Sequence, residues 1–196
     1  MRFKTLKSDA ELGEYRRLFL EGLKRNSAGF DGDLPLEYLR STHVVAAFDS
    51  KKRMIAGYVL GTAHPLRLLS FVPSSAHADL KVPFGCTWDD CCEVTCAWKL
   101  PEISSVWMSY RLWPRVHLSV LFSSKKLLLG HDQAERLDKF YGTTGPITIY
   151  SGLSTYGLQS RLFAYDWKRI VLCIVGLFIY ETPRRFIVQT LRRISK

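Results

Sequence analysis

The chain has 196 residues, of which 47% are hydrophobic and 23% are charged, and its formal net charge is +10. This length supports one sizeable hydrophobic core, so we expect a single domain over residues 1–196. The composition excludes wholesale disorder, and no apolar run reaches the roughly 20 residues of a transmembrane helix. The positive charge favours an anionic partner, but composition does not choose between nucleic acid, lipid, a phosphorylated cofactor and an acidic protein.

Four of the five cysteines lie in the segment 86–96. The N-terminal segment is amphipathic and does not resemble a signal peptide, so we expect a reducing, cytoplasmic location. Cys91, Cys92 and Cys96 lack the spaced Cys-x2-Cys pairs of zinc sites, which favours buried free thiols and no bound metal. A cysteine nucleophile paired with a histidine is an alternative that no local signature supports. The histidines available for that pairing are His64, His77, His117 and His131.

The first half of the chain predicts a helix, a hairpin and a long connection. Residues 9–24 repeat apolar side chains at helical spacing. Residues 43–48 and 54–61 read as two strands around a polar turn, which is typical of an antiparallel hairpin. Residues 62–90 are rich in Pro, Ser and His but also contain apolar anchors, so we predict an ordered surface excursion or lid.

The second half predicts a central strand followed by alternating helices and strands. In residues 92–98, Val94, Cys96 and Trp98 share one face of the strand and Glu93 lies on the other. The order predicts an α/β fold whose mixed, mostly antiparallel sheet is flanked by helices. The later elements are one or two helices over 103–129 interrupted by Pro114, a strand at 147–150, a short helix at 158–165, and closing strands at 168–178 and 186–194.

Glu93 is a single carboxylate among apolar neighbours in the predicted central strand. Burying a carboxylate is costly unless it is paired or takes part in chemistry. Glu93 is therefore our candidate catalytic residue. The alternative is a strand-end carboxylate that faces solvent or an arginine.

Three stretches of the chain together resemble the Gcn5-related N-acetyltransferase (acyl-CoA N-acyltransferase) fold. Within that fold the likeness is nearest to acyl-homoserine-lactone synthases, which make autoinducers, and to long-chain N-acyl amino acid synthases. The stretches are 54–60 with the apolar excursion after it, 92–96, and 147–168. The resemblance implies that Glu93 positions or deprotonates an attacking amine. The arginine that follows Glu-x-Thr in these families is Cys96 here, and the arginine of the earlier strand is replaced near Val59 and Leu60.

The resemblance implies an N-acyltransferase that moves an acyl group, with a long chain as one option, to an amine such as an amino acid. The donor would be the thioester of an acyl carrier protein or of CoA, a substrate rather than a tightly bound cofactor. The family's Gly-rich phosphate turn is missing between Lys99 and Arg115, which favours an acidic acyl carrier protein as the partner of this basic chain. Candidate donor contacts near the helix start are Ser104, Ser105, Arg111 and Arg115.

The predicted excursion supplies a candidate wall for an acyl pocket through Leu66, Leu69 and Phe71. The family's acidic substrate loop has its matches at Asp31 and Asp33. A tyrosine that protonates the leaving thiolate and an aromatic acyl tunnel both stay open, with core packing as the alternative use of the aromatic residues. The candidates are Tyr141, Tyr150 and Tyr156 for the thiolate, and Trp107, Trp113, Phe122 and Phe140 for the tunnel.

The C-terminal residues 184–196 alternate cations with apolar side chains. This pattern predicts either an amphipathic edge strand or a peripheral contact with anionic lipid. The alternative function is a non-catalytic basic protein of the same fold that binds nucleic acid, a membrane or an acidic partner. For the acyltransferase itself we expect no nucleic-acid partner.

Overall fold

The structure is a computed structural model, and it describes residues 2–26, 33–132, 145–176, 178–179, 183–184 and 187. Four short 3₁₀ turns fill the connection between the third and fourth strands, and a π-helical turn, Met108–Leu112, joins the third and fourth helices. The elements in chain order are β1 (Arg2–Thr5), α1 (Asp9–Asn26), α2 (Leu36–Arg40), β2 (His43–Phe48), β3 (Met54–Gly61), β4 (Cys91–Lys99), α3 (Ser105–Trp107), α4 (Trp113–Leu121), β5 (Leu127–Asp132), β6 (Ile147–Leu153), β7 (Gln159–Asp166) and α5 (Trp167–Gly176).

Within the described residues, seven strands form one sheet in the order β1-β2-β3-β4-β5-β7-β6. The pair β4–β5 is parallel, and the other neighbouring pairs are antiparallel. The connection between β4 and β5 runs through α3 and α4, as a parallel pair requires. The predicted fold class, a mixed and mostly antiparallel sheet flanked by helices, is confirmed.

The two central strands separate after a short paired stretch. β4 pairs with β5 at three positions only, Cys91–Leu127, Cys92–Leu128 and Glu93–Leu129. From there β4 stays hydrogen-bonded to β3, and β5 stays hydrogen-bonded to β7. The sheet therefore opens between the two strands, and we call the gap that begins beyond the Glu93–Leu129 pair the wedge.

A β-bulge interrupts β4 just past the start of the wedge. The register of β3 against β4 shifts between Gly57 and Val59, and Cys96 on β4 has a φ of 52°. A bulge inserts an extra residue and bends the strand. The hydroxyl of Tyr15, a fully buried residue of α1, donates a hydrogen bond of 2.7 Å to the Cys96 carbonyl. Gly57 leaves room for this tyrosine, because a Cβ there would lie 2.6 Å from its ring.

The sheet divides the core into two sides. On one side, α4 and α5 pack over alternate residues of the strands, including Cys92 and Leu128. On the other side, α1 and α2 pack over β2, β3 and β4. The 3₁₀ turns of the excursion cover β4, β5 and β7 on that same side. Glu93 faces the excursion because it alternates with Cys92 and Val94, which face α4.

The predicted helix at 9–24, the hairpin, the ordered excursion and the strands at 92–98 and 147–150 are confirmed. The predicted shared face of Val94, Cys96 and Trp98 is wrong, because the bulge leaves Val94 on the α4 side and turns Cys96 and Trp98 to the α1 side. The long helix predicted over 103–129 is wrong in its last part, because the helical run ends at Leu121 and β5 follows. Pro114 does not interrupt this run, since it lies at the first turn of α4, where a proline is tolerated. The short strand β1 was not predicted.

Two of the later predicted elements have the wrong type. The predicted helix at 158–165 is wrong, because residues 159–165 belong to strand β7. The predicted strand at 168–178 is wrong as well, because residues 168–176 belong to helix α5. β7 lies between β5 and β6 and is buried on both faces, so it lacks the alternation of a half-buried strand. The predicted strand at 186–194 lies outside the described residues except at Ile187.

Candidate active site

Glu93 lies at the last paired position before the wedge and is 1% exposed. Its Oε1 accepts hydrogen bonds from the Tyr38 hydroxyl at 2.8 Å and the Arg67 backbone N–H at 2.9 Å. Its Oε2 accepts one from the Leu68 backbone N–H at 2.7 Å. The carboxylate thus holds the first turn of the excursion, much as an acidic side chain caps a helix. Gly61 faces it, and a Cβ there would lie 2.8 Å from Oε1.

The hydroxyl of Tyr38 connects Glu93 to the wall of the wedge. It lies 2.8 Å from the Thr95 Oγ1, one residue before the bulge, as well as 2.8 Å from Glu93. Tyr38 comes from α2, which is reached through the loop that contains Asp33. Residues from three separate segments therefore meet at one buried carboxylate.

Arg67 lies over this cluster. Its guanidinium carbon is 5.3 Å from the centroid of the Tyr38 ring and 6.0 Å from that of Phe71. Its Nη2 donates a short hydrogen bond to the Asp33 carbonyl. The Asp33 carboxylate is itself paired with Arg16 of α1 at 2.9 Å. The sequence lacks the two strand arginines of the similar families. In this structure Arg67, from the excursion, contacts the loop before α2 instead.

Burial dominates the electrostatics of the site. Burial raises the pKa of the Glu93 carboxyl, while the hydrogen bonds from Leu68, Tyr38 and Arg67 oppose the rise. Burial and the negative Glu93 also raise the pKa of the Tyr38 hydroxyl. The site therefore combines a carboxylate of increased basicity with a hydroxyl that stays protonated, which suits the acceptance of one proton by the carboxylate.

Phe71 extends the site along the excursion side of the wedge. Its ring stacks on His131 of β5 with centroids 4.8 Å apart, and the Tyr156 ring lies 5.9 Å from it. Burial lowers the pKa of His131 to about 4, so its imidazole is neutral at pH 7. The Nε2 of His131 is buried and has no hydrogen-bond partner within the part of the chain that the structure describes.

The hairpin between β6 and β7 fixes the far end of the same excursion turn. The backbone N–H of Thr155 donates to the Phe71 carbonyl and its hydroxyl donates to the Ser70 carbonyl, both at 2.9 Å. Glu93 and Thr155 thus hold the two ends of this segment. Leu66 is buried, and Leu69 and Phe71 pack at the margin of the same core. The predicted acyl-pocket residues and Glu93 are therefore brought to one side of the sheet.

The predicted donor contacts lie elsewhere. Arg111 is exposed on the π-helical turn and Arg115 is exposed on α4, on the opposite side of the sheet from Glu93. Ser104 uses its hydroxyl to accept a hydrogen bond of 3.0 Å from the Trp107 N–H, and Ser105 begins α3. Arg115 lines a separate pocket of about 360 Å³ together with His43 and residues of β2, β3 and α4.

The other predicted residues have mixed positions. Tyr150 donates its hydroxyl to the Leu153 carbonyl at 2.7 Å, so its proton is already used locally. Trp107 and Trp113 pack against the core on the α4 side, while Phe122 is largely exposed. Asp31, Phe140 and Tyr141 lie outside the described residues.

Three cysteines of β4 have raised pKa values. Burial raises the pKa of Cys91 and of Cys92 to about 12, and that of Cys96 to about 11. These thiols are therefore not thiolates at neutral pH. Among the described residues, no cluster of three metal-ligating side chains is present.

Sequence reasoning singled out Glu93 and the apolar residues of the excursion, but it did not single out Tyr38 or Arg67. It named His131 only as a possible partner of a cysteine. Arg67 offered one signal, since it is a lone cation between apolar residues of the excursion. Tyr38 and His131 offered none, because each reaches the site only through the pairing of distant segments.

No described protein family matches the sequence, and no curated protein matches it either. Solved structures do share its fold. The N-acyl amino acid synthase FeeM from uncultured soil microbes has a TM-score of 0.65 at 14% identity, over 90% of this chain and 97% of that one. The CoA-dependent acyl-homoserine lactone synthase BjaI has a TM-score of 0.63 at 11% identity, over 91% of this chain and 90% of that one.

An N-acetyltransferase from Staphylococcus aureus Mu50 is similar at a TM-score of 0.57 and 11% identity, over 85% of this chain and 97% of that one. The chain therefore has the fold of the Gcn5-related N-acetyltransferases, with acyl-homoserine lactone and N-acyl amino acid synthases among its structural neighbours. The resemblance drawn from the sequence is confirmed at the level of the fold.

Proposed function

We propose that the protein is an N-acyltransferase that transfers an acyl group from a thioester to the amine of a small molecule, such as an amino acid. The observation that carries this proposal is the position of Glu93, a buried carboxylate at the point where β4 and β5 separate. The acyltransferase fold of the structural neighbours supports the same reading. A purely structural carboxylate would explain the turn that Glu93 holds, but not the open wedge beside it.

The proposed reaction needs few groups. The amine nitrogen bonds to the acyl carbon, the carbon–sulfur bond breaks, and the products are an amide and a thiol. The amine loses one proton to Glu93, directly or through a water molecule, and the leaving thiolate gains one. Three of the roughly four acceptor positions of the carboxylate are occupied, which leaves one on Oε2.

The apolar residues beside Glu93 give the acyl chain its wall. Leu66, Leu69 and Phe71 pack beside Leu129 and Leu162 on the excursion side of the sheet. We propose that the acyl chain enters the wedge and contacts this wall, and that Asp33 and Arg67 lie at the amine side. Tyr156 is our candidate proton donor to the thiolate, because its ring packs against Phe71.

The donor thioester is proposed as either acyl-CoA or an acyl carrier protein. BjaI, one of the structural neighbours, is described as CoA-dependent. The net charge of +10 and the missing Gly-rich turn support an acidic carrier protein instead. A direct comparison of the two donors decides between them.

The test is a thiol-release assay on the purified protein. Acyl-CoA and acyl carrier protein thioesters of several chain lengths are each mixed with single amino acids, and the released thiol is measured over time. Glu93→Gln is expected to lower kcat/KM by about 100-fold or more. Glu102→Gln is the matched control, because Glu102 lies on the surface with Arg53 as its partner and should leave the rate unchanged. Equal rates for Glu93→Gln and the wild type would contradict the proposal.

A further inference from the structure

The solvent side of α5 is apolar. Ile170 and Cys173 face the core, whereas Trp167, Val171, Leu172 and Val175 are exposed on the same helix. Phe178 and Ile179, just beyond the helix, are exposed as well. We call these six exposed side chains the α5 apolar face.

Single exposed apolar residues are ordinary on protein surfaces, but a group of six on one short segment is not. The face continues onto the π-helical turn, because the exposed ring of Tyr110 contacts Phe178 edge-on with centroids 5.8 Å apart. Leaving such a surface in water is unfavourable by roughly 25 cal/mol for each Å². The size and continuity of the face therefore indicate that something covers it.

The charges around the face favour an anionic occupant. Lys168 is exposed within it, with its Nζ 5.8 Å from the centroid of the Trp167 ring. In the sequence that follows this segment, residues 181–196 contain five cations and one acid. A second copy of the chain would carry the same net charge of +10 as the first, and repulsion between the two like-charged chains opposes their association. A bilayer with anionic lipid would attract the same cations.

The residue types also match a bilayer surface. Tryptophan and tyrosine are preferred at the boundary between lipid headgroups and acyl chains, and aliphatic side chains insert just below it. Within the described residues, no helix has the length and apolar character needed to cross a membrane. A helix that lies along the membrane surface, with its apolar side towards the acyl chains, accounts for these residue types without crossing the bilayer.

We propose that the α5 apolar face binds the surface of a membrane that contains anionic lipid. The contact is peripheral, with Trp167, Leu172 and Ile179 entering the outer part of the bilayer and Lys168 remaining at the headgroups. This inference does not depend on the acyltransferase activity, and it is tested without it.

The experiment is flotation of the purified full chain with vesicles of phosphatidylcholine, with and without phosphatidylglycerol. We expect binding to the vesicles that contain phosphatidylglycerol, and weaker binding at high salt. Leu172→Ser should weaken the partition at least about tenfold, since the leucine side chain would no longer be buried in the bilayer. Leu153→Ser on β6 is the matched control, because Leu172 is 60% exposed and Leu153 is 59% exposed.

Three outcomes would overturn the proposal. The first is no binding to either vesicle. The second is equal loss of binding in both variants, which would show that the α5 face is not the contact. The third is a wild-type dimer in sedimentation velocity without vesicles that Leu172→Ser converts to a monomer, which would assign the face to a second copy of the chain.

Discussion

Glu93 has two roles, since it anchors the excursion and is the proposed proton acceptor. A substitution at Tyr38 allows the two roles to be tested separately. Its hydroxyl donates to the Glu93 carboxylate and lowers the pKa of that group against the effect of burial. The backbone N–H groups of Arg67 and Leu68 would still hold the turn if the hydroxyl were removed. Tyr38 therefore allows the basicity of Glu93 to be changed while the turn stays in place.

Tyr38→Phe should raise the pKa of Glu93 further, because the carboxylate loses one donor that stabilises its charged form. Activity needs the deprotonated carboxylate, so the acidic limb of the kcat/KM profile should move to higher pH. The measurement is the thiol-release rate as a function of pH. Tyr110→Phe, an exposed tyrosine on the other side of the sheet, is the control and should leave the profile in place. A limb that stays fixed in Tyr38→Phe would argue against Glu93 as the proton acceptor.

Gly61 tests how tightly the site is packed around Glu93. A Cβ at Gly61 would lie 2.8 Å from the Glu93 Oε1 and 2.9 Å from its Cγ. Gly61→Ala should displace the carboxylate and lower the free energy of unfolding by about 1–3 kcal/mol in urea denaturation. Gly22→Ala is the control, because nothing lies within 4 Å of that position in α1. Helix propensity predicts that Gly22→Ala raises the free energy of unfolding by up to about 1 kcal/mol. If Gly61→Ala left the free energy of unfolding unchanged, the packing around Glu93 would have room for a methyl group.

At the scale of elements, the bulge in β4 depends on α1. Cys96 holds a positive φ of 52°, which costs free energy for a residue with a side chain, and its carbonyl is satisfied by the Tyr15 hydroxyl at 2.7 Å. The bulge lies just past Thr95, which contacts the Tyr38 hydroxyl. The shape of the wedge therefore depends on α1, a different helix from the one that carries Tyr38.

Tyr15→Phe should lower the free energy of unfolding by about 1–3 kcal/mol, because it leaves the partly buried Cys96 carbonyl without its donor. It should also lower kcat more than the exposed-site substitutions do, since the bulge borders the wedge. Urea denaturation and the thiol-release assay measure the two effects on the same preparation. If stability falls while kcat is unchanged, the bulge is a feature of the sheet and not of the site.

α1 was placed correctly because it shows an apolar stripe at helical spacing. β2, β3 and β4 were placed correctly although they are buried on both faces, because each is an apolar run of strand length and a polar turn separates β2 from β3. β7 does not alternate apolar and polar residues, because it is buried on both faces, and it was predicted as a helix. α5 is rich in β-branched residues and has apolar residues on its solvent side, and it was predicted as a strand. The best signal for the start of α5 was Asp166, whose carboxylate accepts a hydrogen bond from the Arg169 N–H at 2.9 Å.

The site was predictable only where its residues share a segment. Glu93 was evident as a carboxylate within an apolar strand. Tyr38 lies 55 residues away from it in sequence and Arg67 lies 26 residues away, so their contacts exist only after β3 and β4 pair. The pattern of residues within a single segment does not indicate such a contact. The family likeness pointed to arginines in two strands, whereas the guanidinium at the site comes from the excursion.

At the scale of the whole molecule, buried neutral histidines should make stability depend on pH. His117 is 7% exposed, its Nδ1–H donates to the Trp113 carbonyl at 2.8 Å, and burial lowers its pKa to about 4. The unfolded chain binds this proton at higher pH than the folded one, so stability is present above the ordinary histidine pKa and is lost as the pH falls towards 4.

The free energy of unfolding should therefore fall by about 2 kcal/mol between pH 7 and pH 5 through His117 alone. Urea denaturation of the wild type and of His117→Gln at the two pH values measures this contribution. The substituted chain should lose less stability on acidification, whatever its stability at pH 7. Equal losses in the two chains would show that His117 is protonated in the folded state.

The central claim, acyl transfer at Glu93, is tested most directly in cells that make the protein. Lipid extracts from cells producing the wild type, Glu93→Gln or Glu102→Gln are compared by mass spectrometry at equal protein levels. We predict N-acylated amines in the wild type and in Glu102→Gln, and their loss in Glu93→Gln. Acylated amines that persist in Glu93→Gln, or that are missing from all three extracts, would contradict the account.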